Sequence, residues 1–157
     1  MTVHLVNLYV KINILVYCTA VMLCGLTSCD KETKGFDEVP SLRIVEVNPT
    51  TVTQFEDSII ISIEYKDLDG DLGHPHPDSP VLFIQDMRLA VRDPYHVQPL
   101  APVGSTVPII GVLDFKLFST WLIGNGDEET TTYEIQMKDR SGNWSNIVRT
   151  PEITILR

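Results

Sequence analysis

From residue 41 to its end the chain consists of short runs in which apolar and polar residues alternate. Over residues 58–66, Ile59, Ile61, Ile63 and Tyr65 fall on one side and Ser58, Ser62, Glu64 and Lys66 on the other. A period of two is that of a strand with one buried face. Residues 131–139 repeat it, with Tyr133, Ile135 and Met137 inward against Thr132, Glu134, Gln136 and Lys138. Residues 111–118 set Leu113, Phe115 and Leu117 against Asp114 and Lys116. Further strands are predicted over 42–47, 81–92 and 150–156, with a short edge strand over 96–100. No helical stripe fills a twelve-residue window, although 118–123 could form one turn. Pro, Gly, Asp and Asn clusters separate the runs. Six or seven short strands with such punctuation predict an all-β fold, an antiparallel β-sandwich of about seven strands. A jelly roll or small barrel fits the same pattern.

Residues 1–28 follow a different pattern, with a single Lys (Lys11), no acidic residue and an apolar run over 12–26. This is the layout of a secretory signal. The run falls short of the roughly 20 apolar residues that a membrane span needs. At its end, Leu26-Thr27-Ser28-Cys29 resembles the lipobox of bacterial lipoproteins. The resemblance implies cleavage before Cys29, a diacylated Cys29 thiol and an acylated new N-terminus, with membrane lipid as the first partner. Cys18 and Cys24 would leave with the leader. A processed chain would then keep only the acylated cysteine, without a disulfide or thiolate metal site. Residues 29–40 are charged and aperiodic, the composition of a flexible acidic tether. Cys29-Asp30-Lys31-Glu32 is also similar to the acidic segment that directs some Bacteroidetes-type lipoproteins to the outer face of the outer membrane; a plain solvated spacer reads equally well. The formal net charge of −9 excludes the basic footprint that nucleic acid requires.

The domain predicted over 41–157 resembles immunoglobulin-like and fibronectin-type-III-like modules. Pro49 after the first strand, Tyr133 at a tyrosine-corner position, and the stretch Asp139-Arg140-Ser141-Gly142-Asn143-Trp144-Ser145-Asn146 carry the resemblance. That stretch is similar to the Asp-x-x-Gly-Asn-x-Ser hairpin joining the last two strands of many bacterial Ig-like modules. Gly142 and Asn143 tolerate the positive φ of a tight connection.

The segment with the most chemistry is Asp67-Leu68-Asp69-Gly70-Asp71-Leu72-Gly73. Carboxylates at Asp67, Asp69 and Asp71 could converge on one hard cation, and Ca²⁺ accepts six to eight oxygens. The segment resembles the Asp-x-Asp-Gly-Asp turns of extracellular calcium-binding modules, and Asp-Gly-Asp-Leu-Gly recurs in Bacteroidetes-type Ig-like lipoproteins. An EF-hand is excluded. Leu72 stands where its sixth-place Gly belongs, and Pro75, Pro77 and Pro80 forbid the exit helix. The expectation is a structural Ca²⁺, or else a turn whose side chains bond their own backbone.

His74, His76 and Asp78 offer three ligands for a transition metal, or a plain proline-stiffened loop. No Gly-x-Ser-x-Gly elbow or phosphate-binding glycine loop occurs. Glu56-Asp57 and Glu128-Glu129 read as solvated turns. Asn143-Trp144-Ser145 matches a glycosylation sequon, but the lipobox points to a bacterium and favours the turn role. Asp57-Ser58-Ile59 resembles a Bacteroidetes O-glycosylation tripeptide. Trp121 and Trp144 read as packing residues or sugar platforms.

These features predict a non-enzymatic, lipid-anchored protein of the bacterial cell envelope, at the outer membrane and facing periplasm or surface. Its Ig-like module would bind or support another envelope component, with no cofactor required beyond a structural Ca²⁺. Two alternatives stand beside it: a glycan-binding module of a nutrient-capture system using Trp121, Trp144 and the acidic loop, and a small metal-dependent hydrolase using His74, His76 and Asp78.

Overall fold

A computed structural model describes residues 37–157, Ser119 excepted. The expected leader, Cys29 and most of the tether lie outside these residues. The described chain is all-β, with no helix: β1 (Ser41–Asn48), β2 (Thr51–Thr53), β3 (Ile59–Asp67), β4 (Leu82–Asp86), β5 (Asp93–Tyr95), β6 (Ile109–Leu117), β7 (Glu128–Thr131), β8 (Tyr133–Met137), β9 (Val148–Arg149) and β10 (Ile153–Leu156). They form three sheets, ordered β1-β3-β6, β5-β4-β8-β9 and β2-β10-β7. Pairing is antiparallel except between β10 and β2.

The alternation read from the sequence decides what is buried. On β3, Ile59, Ile61 and Ile63 are fully buried and pair with Leu117, Phe115 and Leu113 of β6. In the facing sheet, Ile135 and Met137 of β8 lie across from Ile84 and Leu82 of β4. Ile153 and Ile155 of β10, with Val52 of β2, complete one hydrophobic cluster drawn from all three sheets, a β-sandwich-like arrangement. Each such side chain contributes about 1.5–3 kcal/mol by leaving water.

Three predicted elements differ in detail. The strand expected over 81–92 stops at Asp86, because Asp86 turns the chain by accepting the backbone N–H of Arg88 at 3.0 Å and of Leu89 at 2.8 Å. The edge strand falls on Asp93–Tyr95, pairing with β4, and not on 96–100. Those later residues serve the neighbouring loop instead: the Val97 carbonyl accepts the His74 N–H at 2.9 Å and the Leu100 N–H donates to the Leu72 carbonyl at 3.0 Å. No helical turn forms among the described residues of 118–123. Strands β2, β7 and β9 were not expected; β7 contains no apolar residue.

One end of the fold concentrates the features that matter below. There β3 runs out at Asp67, opposite Ile109 of β6. The Leu68 N–H donates to the Asp37 carbonyl at 2.9 Å, so the described chain begins at this end. The turn after β8 lies there too, and Asn146 beyond it grips β1 by accepting the Leu42 N–H at 2.7 Å and donating to the Leu42 carbonyl at 2.9 Å.

Candidate metal centre

Asp67 is the last inward position of β3, continuing the series Ile59, Ile61 and Ile63, and it is fully buried. The chain then doubles back on itself. Gly70 makes this possible with φ of +70°, a region L-residues avoid, and a Cβ there would stand 2.3 Å from the Val107 carbonyl oxygen. The Asp71 N–H donates to Asp67 Oδ2 at 2.9 Å, and the Val107 N–H donates to the Asp69 carbonyl at 3.3 Å. One ligand oxygen from each of Asp67, Asp69 and Asp71 consequently lies within 4.8 Å of the others. Oxygens bound to one Ca²⁺ at about 2.3–2.6 Å are separated by at most about 5 Å. The triad could therefore hold a metal ion.

Electrostatics points the same way. Oδ1 of each of Asp67, Asp69 and Asp71 is buried without a hydrogen-bond partner among the described residues. Burial, then the charges of Asp69 and Asp71, push the Asp67 carboxyl up to about 7. Three adjacent carboxylates cannot all stay ionised cheaply out of water. A divalent cation would satisfy the orphaned oxygens and the charge together.

The loop is braced by the turn after β8. Asp71 Oδ2 accepts the Ser141 N–H at 2.9 Å and its hydroxyl at 2.7 Å, while the Arg140 N–H donates to the Asp71 carbonyl at 3.3 Å. The Arg140 guanidinium is directed to backbone, donating to the Gly73 carbonyl at 2.9 Å. Within the turn, Asp139 Oδ1 accepts the Asn143 N–H at 2.7 Å and Gly142 takes φ of +96°. The turn foreseen from the sequence is formed, with Lys138 bridged to Trp144, but it joins β8 to β9 and not to the last strand, β10, which lies in another sheet. The turn's role against the acidic loop was not foreseen. The available signal was Asp139 closing the inward series Tyr133, Ile135, Met137.

The other candidates are placed differently. His74 Nδ1 accepts the His76 N–H at 3.1 Å and His96 Nε2 pairs with the His74 carbonyl at 2.7 Å. Among the described residues, His74, His76 and Asp78 do not converge as a ligand set. Trp144 packs on Phe83 of β4, ring centroids 5.0 Å apart, with Lys138 Nζ 5.7 Å above it. Trp121 stands beyond the opposite end of β4, its carbonyl accepting from Arg88 at 3.0 Å. The two tryptophans do not build one platform with the acidic loop.

Glu129, read as part of a solvated turn, lies in β7 and accepts the Ile123 N–H at 3.0 Å, the Gly124 N–H, and Arg88 at 2.8 Å. Arg88 also grips buried Asp86 Oδ2 at 2.6 Å. That network was missed. Asp86 interrupting the inward series Leu82, Ile84 was its signal. A further concavity of about 360 Å³ opens between β6 and residues 95–100, lined by Leu82, Val97, Leu100, Leu113 and Phe115.

A scan against protein-family models gave no match, and searches of curated proteins and of solved structures gave none either.

Proposed function

We propose that this chain is a non-enzymatic, lipid-anchored protein of the bacterial cell envelope, held to the membrane by acylated Cys29. Its Ig-like β-sandwich binds or supports another envelope component and is stiffened by one Ca²⁺ at Asp67, Asp69 and Asp71. The observation that carries the calcium reading is the set of three buried carboxylate oxygens, one on each aspartate, without a hydrogen-bond donor among the described residues. The anchor reading is supported by the apolar leader and Leu26-Thr27-Ser28-Cys29. The Ig-like reading is supported by the antiparallel sheets around one core and the Asp139–Ser145 hairpin.

Extracellular modules bind calcium at about 10⁻⁴ to 10⁻³ M, so about 10 mM Ca²⁺ adds roughly 1.4–2.7 kcal/mol to stability. For a domain of this size the melting temperature rises by several degrees. Mg²⁺ does less, because it gives up its water reluctantly. Combining Asp69→Asn with Asp71→Asn removes the calcium effect. Identical melting in calcium and in chelator would overturn the metal reading and leave the loop as a turn.

A further inference from the structure

Unpaired N–H and C=O groups along the edge of a sheet will pair with any extended chain that reaches them, and most edges of this fold are short or guarded. β5 has three residues, one of them Pro94, while β2, β7 and β9 have three, four and two. β1 is longer, but its register breaks at a bulge between Ile44 and Glu46, and the Asn146 side chain occupies both the N–H and the carbonyl of Leu42.

β6 is the exception. It has nine residues, stands at the end of the order β1-β3-β6 and keeps unbroken register with β3 from Ile109 to Leu117. Among the described residues no hydrogen bond from another element reaches its outer edge. Its outward series is also apolar for an edge: Ile110 and Val112 are 56% and 57% exposed, and Phe118, next after the strand, is 70% exposed. Asp114 and Lys116 fall between them in the same series. On the inner side Leu113 and Phe115 are only half-buried, beside the concavity that opens towards residues 95–100.

The order of these side chains selects an occupant. Two copies of β6 related by a two-fold axis run antiparallel, and residues opposite each other share one face of the joined sheet. With the axis at Phe115, Asp114 of each copy faces Lys116 of the other and Val112 faces Phe118, while Leu113 faces Leu117 on the inner side. Moving the axis to Asp114 sets two carboxylates against each other, and moving it to Lys116 sets two ammonium groups together. At Leu113 it sets Val112 against Asp114. The register about Phe115 alone opposes Asp114 to Lys116, and it matches apolar with apolar as well. Opposite charges directly across a pair of strands stabilise it and like charges destabilise it.

We propose that β6 is a self-association edge, to which a second copy of this chain adds its own β6 antiparallel about Phe115. The two β1-β3-β6 sheets then become one continuous sheet, and the two-fold axis closes the assembly as a dimer. The pairing rests on neither the calcium site nor the lipid anchor.

Sedimentation equilibrium of the full-length protein in density-matched detergent should show monomer and dimer in equilibrium. Lys116→Asp sets carboxylate against carboxylate at both symmetric contacts and should weaken dimerisation at least about tenfold. Asp114→Lys should do the same with paired ammonium groups. Combining the two exchanges the charges, restores the opposed pairs and should recover wild-type association. Both side chains are exposed, so the circular dichroism of all three variants should match wild type. A wild type that stays monomeric at sub-millimolar concentration would overturn the proposal and leave the edge to a strand of another protein. A double variant no tighter than the single ones would overturn it too, because dimerisation would then use another surface or register. A measurement on the unaltered protein covers variants that fail to fold. Amide hydrogen exchange along the outer edge of β6 should slow as the protein is concentrated, and exchange there that ignores concentration would overturn the pairing.

Discussion

Three aspartates, Asp67, Asp86 and Asp139, share one residue-scale rule: each ends the inward series of an alternating strand and is buried for that reason. The period of two was legible in the sequence, and so was the first of these acids as a candidate ligand. Their distant partners were not, because they come from segments far along the chain, Ser141 for Asp71 and Thr131 for Asp86. Asp67 also makes a prediction about pH. Its carboxyl is raised from an ordinary 3.8 to about 7, by burial first and by Asp69 and Asp71 next. A raised folded-state pKa means the folded chain holds the proton more tightly. Its stabilising contribution is complete below the unfolded value and is lost as pH rises through about 7. In chelator the protein should therefore melt lower at about pH 8 than at about pH 5.5. Calcium should flatten this slope by holding the carboxylate ionised, and Asp67→Asn should flatten it in chelator. Melting curves in calcium and in chelator at the two pH values are the check, and a chelated protein insensitive to pH across that range would show that Asp67 stays ionised unaided.

At the scale of elements, the strands with an apolar face were legible and the polar ones were not. β7 reads Glu-Glu-Thr-Thr and has no apolar face to reveal it. It becomes a strand because Glu129 and Thr131 pair with Ile155 and Ile153 of β10 and because its side chains are spoken for. The Thr131 hydroxyl donates to Asp86 Oδ1 at 2.6 Å, and Arg88 spans from Asp86 to Glu129. Burial pushes the Asp86 carboxyl up, but its hydrogen bonds from Arg88 and Thr131 outweigh this and hold it below the usual range. This contribution is therefore lost only as pH falls through that lowered value. Arg88→Ala would leave buried Asp86 without its counter-charge, and removing one member of a buried pair typically costs about 3–5 kcal/mol. Glu129→Gln should cost less, since an amide oxygen at the Oε2 position still accepts the Ile123 N–H and Arg88, and only the Gly124 N–H at the Oε1 position loses its acceptor. Urea denaturation at neutral pH measures both. Equal losses in the two variants would mean that Arg88 acts through Glu129 and not through Asp86.

For the whole molecule, the alternation was enough to give an all-β, sandwich-like fold but not its wiring. The parallel pairing of β2 with β10 joins Thr51 to Thr154, and no local pattern announces a contact so distant along the chain. The end where Asp37 meets Leu68 is also the end of the acidic loop, which places the proposed calcium site at the end of the fold where the described chain begins. If acyl chains supply the attachment, at roughly 0.8 kcal/mol per buried methylene, the folded domain has no part in holding the membrane. Cys29→Ala should then abolish incorporation of labelled fatty acid and cleavage before residue 29, while the calcium-induced rise in melting temperature stays as in wild type. Labelling with a fatty-acid analogue, detergent partitioning and a calcium melt on the same preparation test the two halves independently. Labelling retained in Cys29→Ala would mean that acylation occurs elsewhere, and a calcium response lost with the lipid would mean that the domain and its anchor are coupled.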